Sequence, residues 1–343
     1  MKHILLIFTC TILLINTISA QPNQKAAKKE FNEAVDYIVE KNYDQAIYNL
    51  NQALNTFPKF EEAYLERGKI YIKQRNTDAA KNDLNKAIKY SDGNKKGEAY
   101  FYRGYLNFEK ENIEQAIEDF SMAVQSGYKN SEVYYFRGLA YHKNRDYSNS
   151  IMNFTMAIDT KYDFFHAYHD RGTSKLMQGD YQGAIKDYET ALKHREKSAF
   201  TYNNLGQAYM KMSDFQKAIE NFTLAIKEDP NYVEAYLNRG NAKNNLEKYE
   251  EALSDYRKAK EINSSSLKAL NNIGIVFLKQ SEFEKAIDTF NKVIEKDNKL
   301  GEAYLNRGLA WENLGKFDKA CKDWKMANEL EVDKASEYLK DCE

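Results

Sequence analysis

The sequence is poor in the two residues that most often interrupt helices. Its 343 residues include only 3 prolines and 15 glycines, whereas chains made largely of turns or disordered segments are rich in both. With 43% hydrophobic and 29% charged residues, the chain has enough apolar material for a core. The scarcity of helix breakers therefore predicts a folded and mostly helical protein.

The sequence also lacks an excess of charge of one sign. It has 50 lysines and arginines against 51 aspartates and glutamates, with no long run of either. Nucleic acids and anionic membranes attract surfaces of strongly basic proteins. We therefore expect neither of them as a partner.

The longest hydrophobic run, residues 4–15, lies at the N-terminus behind Lys2 and His3 and is followed by a small residue, Ala20. This order is typical of a signal peptide, and the run is short for a membrane span. We expect residues 1–20 to be removed and the protein to be exported. The alternative is a retained membrane anchor. The Asn-, Lys- and Tyr-rich composition and the form of the signal favour a bacterial periplasm or exterior. Cys10 lies inside the apolar run, which disfavours a lipid anchor.

Cysteine is rare, and only Cys321 and Cys342 remain after the predicted signal peptide. A pair of cysteines in an exported protein favours a disulfide. Two unpaired thiols are the alternative.

Glycines recur along the chain with a fixed period. From Gly104 onward each step is 34 residues, the step before it is 36, and Ala34 takes the glycine's place in a further first copy. The sequence therefore predicts nine repeats between a linker at 21–26 and a capping helix at 333–343. The glycines are Gly68, Gly104, Gly138, Gly172, Gly206, Gly240, Gly274 and Gly308, and the repeats are 27–60, 61–96, 97–130, 131–164, 165–198, 199–232, 233–266, 267–300 and 301–332.

Each repeat carries the same landmarks around its glycine. An aromatic residue usually precedes the glycine by four positions, a small residue follows it by twelve, and a large apolar residue follows by sixteen, as in Tyr236, Ala252 and Tyr256 around Gly240. The apolar positions between the landmarks follow helical spacing. Small side chains where two helices cross allow their axes to approach closely. Each repeat therefore predicts a pair of packed helices.

This pattern resembles the tetratricopeptide repeat, with its landmarks W-x2-L-G-x2-Y, A-x3-F and a late proline. Here tyrosine mostly replaces the tryptophan, and the proline occurs only as Pro58 and Pro230. The resemblance implies an all-α tetratricopeptide-repeat α-solenoid, a right-handed superhelix of helix–turn–helix repeats. It also implies a protein or peptide partner, bound on the concave face that the first helices line, and neither an enzymatic activity nor a cofactor.

Arginine and aspartate occur together in the repeats. Six repeats have arginine directly before the glycine, and the residue sixteen positions after this arginine is aspartate in five of them and Asn153, opposite Arg137, in the sixth. The three repeats without the arginine have no aspartate there. We infer ion pairs between the two helices of a repeat or between adjacent repeats, which specify packing more than they add stability. The pairs are Arg67–Asp83, Arg103–Asp119, Arg171–Asp187, Arg239–Asp255 and Arg307–Asp323.

The residue two positions before the glycine is asparagine in the last four repeats: Asn204, Asn238, Asn272 and Asn306. An amide side chain both donates and accepts, which suits it to hold a peptide backbone. The column resembles the asparagine ladders of some peptide-binding members of the family. The alternative is a polar residue that is merely tolerated on a solvated helix face.

Two further features of the first helices bear on binding. Tyr102 and Phe136 occupy the asparagine column in earlier repeats, where they either anchor an apolar side chain or pack between repeats. Asn241, with Asn272 and Lys268, matches a fragment of the carboxylate clamp known in the family. Leu237 stands where that clamp needs a lysine, so a clamp is not expected.

No phosphate-binding loop, nucleophile elbow or HExxH motif occurs, so no catalytic site is expected. His142, His166 and His169, with Asp170 beside them, fall near the join of repeats four and five. They support an alternative function, a metal-binding accessory subunit of an extracytoplasmic enzyme complex. Weak self-association through the ends of the solenoid is a third possibility.

Overall fold

The computed structural model describes residues 23–194 and 198–342. The predicted signal peptide, with Cys10, lies outside the described residues. Within these ranges the regular secondary structure is helical and contains no strand. The chain divides into two compact units, one up to Ser174 and one from Lys175 onward. No helix in the described ranges is both long and apolar enough to cross a membrane.

The helices alternate along the chain as the first and second members of pairs. Consecutive helices pack against each other within both units. The first members are α1 (residues 23–39), α3 (Glu61–Lys73), α5 (Gly93–Glu109), α7 (Ser131–Lys143), α9 (Phe165–Gln178), α11 (Ala199–Lys211), α13 (Val233–Asn245), α15 (Leu267–Lys279) and α17 (Gly301–Asn313). The second members are α2 (Tyr43–Thr56), α4 (Thr77–Tyr90), α6 (Ile113–Gln125), α8 (Tyr147–Thr160), α10 (Tyr181–His194), α12 (Phe215–Glu228), α14 (Tyr249–Ile262), α16 (Phe283–Lys296) and α18 (Phe317–Glu329).

Three boundaries differ from those expected. Helix α1 begins at residue 23, so residues 23–26 are helical rather than part of a linker. Helix α5 begins at Gly93 instead of residue 97, because the residues inserted there contain no proline and Lys95 forms an ion pair with Glu62 of α3. The C-terminal segment is α19 (Ala335–Leu339) followed by a 3₁₀ turn at Lys340–Cys342, rather than one helix.

The repeat glycine is the point where the two helices of a pair touch. A Cβ atom on Gly240 would lie 2.5 Å from Cε1 of Tyr256, and one on Gly104 would lie 2.9 Å from the ring of Phe120. Both rings are fully buried. The residue sixteen positions after the glycine therefore occupies the space that a side chain at the glycine would need, which is why the two landmarks occur together.

The turn inside each pair contains a residue in the left-handed region, seven positions after the repeat glycine. Two repeats use glycine there, Gly179 and Gly315, with φ of 91° and 71°. In the other repeats a residue with a side chain holds φ between 58° and 61°: Lys41, Arg75, Glu111, Arg145, Ser213, Glu247 and Ser281. Each of these costs roughly 1–2 kcal/mol relative to a right-handed conformation, which the packing of the helix pair must offset.

The last apolar face is covered by α19. Ala335 is fully buried, and the ring of Tyr338 stacks on Trp324 with centroids 5.0 Å apart. A disulfide joins Cys321 of α18 to Cys342, with Cα atoms 5.7 Å apart. A helix of five residues is unstable alone, so these contacts and the disulfide are what hold α19 in place.

Candidate peptide-binding groove

A groove of about 380 Å³ lies on the first helices of the last three repeats, within the second unit. Leu237 and Leu300 provide its apolar surface, and Asn238 and Asn272 of the predicted asparagine column line it together with Asn241. Asn204 and Asn306 do not line it. The remaining lining residues are Glu234, Lys268, Asn271 and Glu302.

The helix pattern explains why asparagines line this groove. Helix α13 buries Ala235, Tyr236 and Gly240 against its neighbours, so the residues at Asn238 and Asn241, one turn apart, fall on another side of the helix. All four asparagines of the column are half-buried. The column is therefore partly accessible to a ligand.

The amides of the groove bond to one another between consecutive first helices. Asn272 donates from Nδ2 to Oδ1 of Asn241 at 3.0 Å, and Tyr256 donates its hydroxyl to the same oxygen at 2.8 Å. Asn238 donates from Nδ2 to Oδ1 of Asn203 at 2.9 Å. Two bonded groups therefore include three asparagines of the column, Asn204 and Asn238 with Asn203 in one and Asn272 with Asn241 in the other.

Sequence reasoning missed two asparagines, Asn203, which bonds to Asn238, and Asn271, which lines the groove. Both stand at the position three residues before the repeat glycine, where six of the other seven repeats place an apolar or aromatic residue. A comparison of that column among the repeats would have found them. Asn271 is only 6% exposed, and its buried Oδ1 has no hydrogen-bond partner within the part of the chain that the structure describes.

Three charged side chains line the same groove. Glu234, Lys268 and Glu302 are exposed. The ion pairs found in residues 23–194 and 198–342 include none of these three. Their formal charges add to one negative charge, so the groove is weakly acidic.

The arginines before the repeat glycines bond to their aspartates. Arg67 donates from Nη2 to Asp83 at 2.8 Å, Arg103 donates from Nε to Asp119 at 3.0 Å, and Arg307 donates from Nη2 to Asp323 at 2.7 Å. Each aspartate is buried. Each of these pairs links the two helices of one repeat.

The same arginines also reach back to the second helix of the preceding repeat. Arg103 donates from Nη1 to Asn85 at 2.8 Å, and Arg307 donates to Asn291 at 2.6 Å. The described Arg–Asp ion pairs therefore lie within a repeat, and the same arginines bond to an uncharged side chain of the preceding repeat. Corresponding bonds join Arg67 to Asn51, Arg137 to Ser121 and Arg171 to Thr155.

The fourth repeat departs from this arrangement, and in the fifth a lysine also pairs with the aspartate. In the fourth, Arg137 donates to the amide oxygen of Asn153 at 2.6 Å, and burial without a carboxylate lowers the pKa of Arg137. In the fifth, Asp187 pairs with Lys175 at 2.8 Å. The Arg171–Asp187 pair joins residues of different units and stays a prediction.

The aromatic residues of the third and fourth repeats form a packed cluster. The ring of Phe136 lies 5.3 Å from that of Tyr105 and 5.9 Å from that of buried Phe101. The ring of Tyr102 lies 5.2 Å from that of Phe101 and 5.2 Å from Nζ of Lys69. Tyr102 and Phe136 are half-buried. Much of their surface is thus used in packing between repeats.

The residues near the join of repeats four and five bond to neighbouring side chains. Tyr135 donates its hydroxyl to Asp170 at 2.7 Å, and Nδ1 of His142 lies 2.8 Å from Oγ of Ser174. Burial raises the pKa of Asp170, lowers that of His142, and lowers that of His169 to about 4. The described residues contain no group of three His, Cys, Asp or Glu side chains placed to hold a metal ion.

Models of the tetratricopeptide repeat match residues 37–96, 199–232, 233–266 and 268–324, and a TPR repeat model matches residues 166–213. Together these segments cover more than half of the chain. The protein belongs to the tetratricopeptide-repeat family. A search of the curated proteins finds no match.

The chain is similar to several solved structures. A tetratricopeptide repeat protein from Parabacteroides merdae ATCC 43184 is 17% identical, covers 74% of this chain and 99% of its own, and has a TM-score of 0.50. MamA is 31% identical over 50% of this chain and 94% of its own, with a TM-score of 0.43. YrrB, described as a TPR protein with an unusual peptide-binding site, is 21% identical over 55% of this chain and 97% of its own, also with a TM-score of 0.43.

Proposed function

We propose that this protein is a non-enzymatic scaffold that binds an extended segment of a partner protein in the groove of its last repeats. The observation that carries the proposal is that asparagine amides bond to each other between consecutive first helices, beside an open groove. The groove is polar enough to bond to a peptide backbone, and Leu237 and Leu300 supply apolar contact. No comparable support exists for the metal-binding alternative, because the described residues provide no metal-binding group.

The energetics require several contacts at once. A hydrogen bond between protein and ligand contributes about 1 kcal/mol net, so a single asparagine gives little affinity. Neighbouring first helices are separated by roughly 10 Å, a distance that an extended peptide covers in about three residues. Three first helices then extend over about 20 Å, so a ligand that reaches from the first to the third would be at least about six residues long.

A photo-crosslinking amino acid placed in the groove tests this proposal in the native host. Glu302→benzoylphenylalanine puts the reactive group in the groove, and Asp288→benzoylphenylalanine puts it on an exposed part of α16 as a control. We expect position 302 to capture a partner that position 288 does not. The combination of Asn238→Ala and Asn272→Ala with the probe at position 302 should abolish that capture. Identical products at both positions would contradict the proposed site.

We also propose that the protein acts outside the cytoplasm, in the periplasm or on the exterior of a bacterium. The support for export is the N-terminal pattern of Lys2, an apolar run and Ala20. N-terminal sequencing of the protein from a fractionated host is the test. A mature chain that begins at Gln21 in the extracytoplasmic fraction is expected, whereas an intact Met1 in the cytoplasm would refute export.

A further inference from the structure

The hydrogen bonds of the groove leave two amide oxygens open. Asn238 and Asn272 each donate one N–H of Nδ2 to the preceding first helix, while no hydrogen bond to their Oδ1 atoms occurs within the described residues. The Oδ1 of Asn271 has no partner there either, but it is buried. The oxygens of Asn238 and Asn272 thus remain for a ligand, and an amide oxygen accepts from N–H or O–H donors only.

The orientation of these amides follows from their neighbours. Asn203 donates from Nδ2 to Oδ1 of Asn204 at 3.5 Å, so it turns its own oxygen toward Asn238 and requires a donor from it. The hydroxyl of Tyr256 and Nδ2 of Asn272 both bond to Oδ1 of Asn241. The nitrogen of Asn241 donates to none of these partners, so its N–H groups are left for the groove, together with the second N–H of Asn238 and of Asn272.

Charge in the groove favours the same kind of ligand. Glu234 and Glu302 add carboxylate oxygens, and Lys268 is the one basic side chain of the lining. A carboxylate ligand would meet two negative charges in Glu234 and Glu302, with Lys268 and the remaining amide N–H groups to receive it. A cationic ligand would be attracted by Glu234 and Glu302, and among the charged lining residues only Lys268 would repel it.

We propose that the groove receives an arginine side chain of the bound segment. Guanidinium carries five N–H donors in a plane and no acceptor, and it loses less hydration than an ammonium group when buried. The carbonyl groups of the bound backbone would bond to Lys268 and Nδ2 of Asn241. This inference rests on the proposed function, since it specifies which segments the scaffold selects.

A random 12-residue peptide display library is the probe. The mature full-length protein is compared with a Glu234→Gln/Glu302→Gln variant, which keeps shape and loses charge, and with Lys268→Gln. We expect arginine to be enriched by the wild-type protein and not by the double variant, and Lys268→Gln to increase the enrichment. For one selected peptide, replacement of its arginine by neutral citrulline should weaken binding about tenfold, as expected for loss of one charge-assisted contact.

The outcomes separate this inference from the proposed function. If peptides are selected without arginine, or with acidic residues, and Asn238→Ala/Asn272→Ala weakens their binding, the arginine site is wrong and peptide binding in the groove stands. If no peptide is selected, or if selected peptides bind the asparagine variant as well as the wild type, both are wrong. Thermal unfolding of each variant, followed by circular dichroism, shows whether a loss of binding reflects a loss of fold.

Discussion

Arg239 donates from Nε and Nη2 to the two carboxylate oxygens of Asp255, at 3.0 and 2.7 Å. Its third nitrogen, Nη1, donates to Oγ1 of Thr223 in the preceding repeat at 3.0 Å. One planar guanidinium thus connects the two helices of its own repeat and also connects that repeat to the preceding one. Its fork geometry makes these three bonds compatible, which a lysine side chain does not permit.

Asp255→Ala should destabilise the second unit. Asp255 is 4% exposed and also pairs with Lys243 at 3.0 Å, so its removal leaves the partly buried Arg239 without a carboxylate and Lys243 with Glu251 alone, at 3.4 Å. Breaking such a pair costs about 3 kcal/mol. Urea unfolding followed by circular dichroism measures the loss, with Asp288→Ala on the exposed face of α16 as the control. Equal midpoints for the two variants would show that the pair does not stabilise the fold.

Asn153→Asp should stabilise the first unit. Arg137 is the one member of the arginine column that faces an amide in place of a carboxylate, and its lowered pKa shows the cost of burying its charge. The aspartate loses the bond that Nδ2 of Asn153 donates to the carbonyl of Asn149 but gains a charged pair, for a net gain of about 1 kcal/mol.

The control for this change is Asn82→Asp, the same substitution at an exposed position of α4. A rise in the unfolding midpoint is expected for Asn153→Asp and little change for Asn82→Asp. A lower midpoint for Asn153→Asp would mean that the bond to Asn149 outweighs the charge of Arg137.

Reduction of the Cys321–Cys342 bond should loosen the C-terminal cap. The bond closes a loop with a sequence separation of 21 residues, for which loop-closure entropy gives about 3 kcal/mol. A reductant should lower the melting temperature of the wild-type protein and leave that of Cys321→Ser/Cys342→Ser unchanged. Mass spectrometry of the non-reduced exported protein checks the bond itself. Two free thiols there would contradict it.

The first unit should lose stability when the pH falls from 7 to 5. Burial lowers the pKa of His169 to about 4. Between pH 7 and pH 5, His169 therefore takes up a proton in the unfolded chain and stays neutral in the folded chain. Linkage gives a loss of about 2 kcal/mol from this group. His142, whose pKa burial also lowers, adds to the loss. Asp170 has a raised pKa and acts in the opposite direction at lower pH.

The comparison for this effect is His169→Gln. Urea unfolding at pH 7 and pH 5 should show a smaller difference between the two pH values for this variant than for the wild-type protein. An equal difference in both proteins would mean that His169 does not titrate with a lowered pKa.

The repeat architecture was predictable because its determinants are local and repeated. The pairing of Gly240 with Tyr256 recurs at the same spacing in other repeats, so each copy is separate evidence for the same helix crossing. The arginine–aspartate pairs were predictable for a related reason. Two residues that must neutralise each other change together, and nine copies provide the comparison within a single chain.

The sequence also contains a pattern that matches the second bond of each arginine, but sequence reasoning did not recognise it. The residue seventeen positions after a repeat glycine carries an uncharged side-chain oxygen wherever the next repeat has the arginine: Asn51, Asn85, Ser121, Thr155, Thr223 and Asn291. Where the next repeat lacks it, the residue is charged, Glu189 or Arg257. Sequence alone did not show that these side chains lie near the arginine, because that requires the packing of one repeat on the next.

By itself, the sequence determined the period, the helix pairs and the residues at their crossings, since these depend on side-chain size at fixed spacings. Tertiary structure decided which amide atoms the groove presents, because each asparagine can turn either its oxygen or its nitrogen outward and only a neighbour fixes the choice. It also decided that residues such as Arg75 and Glu247 adopt a left-handed backbone. The identity of these side chains does not predict a left-handed conformation. The packed helices on either side impose it.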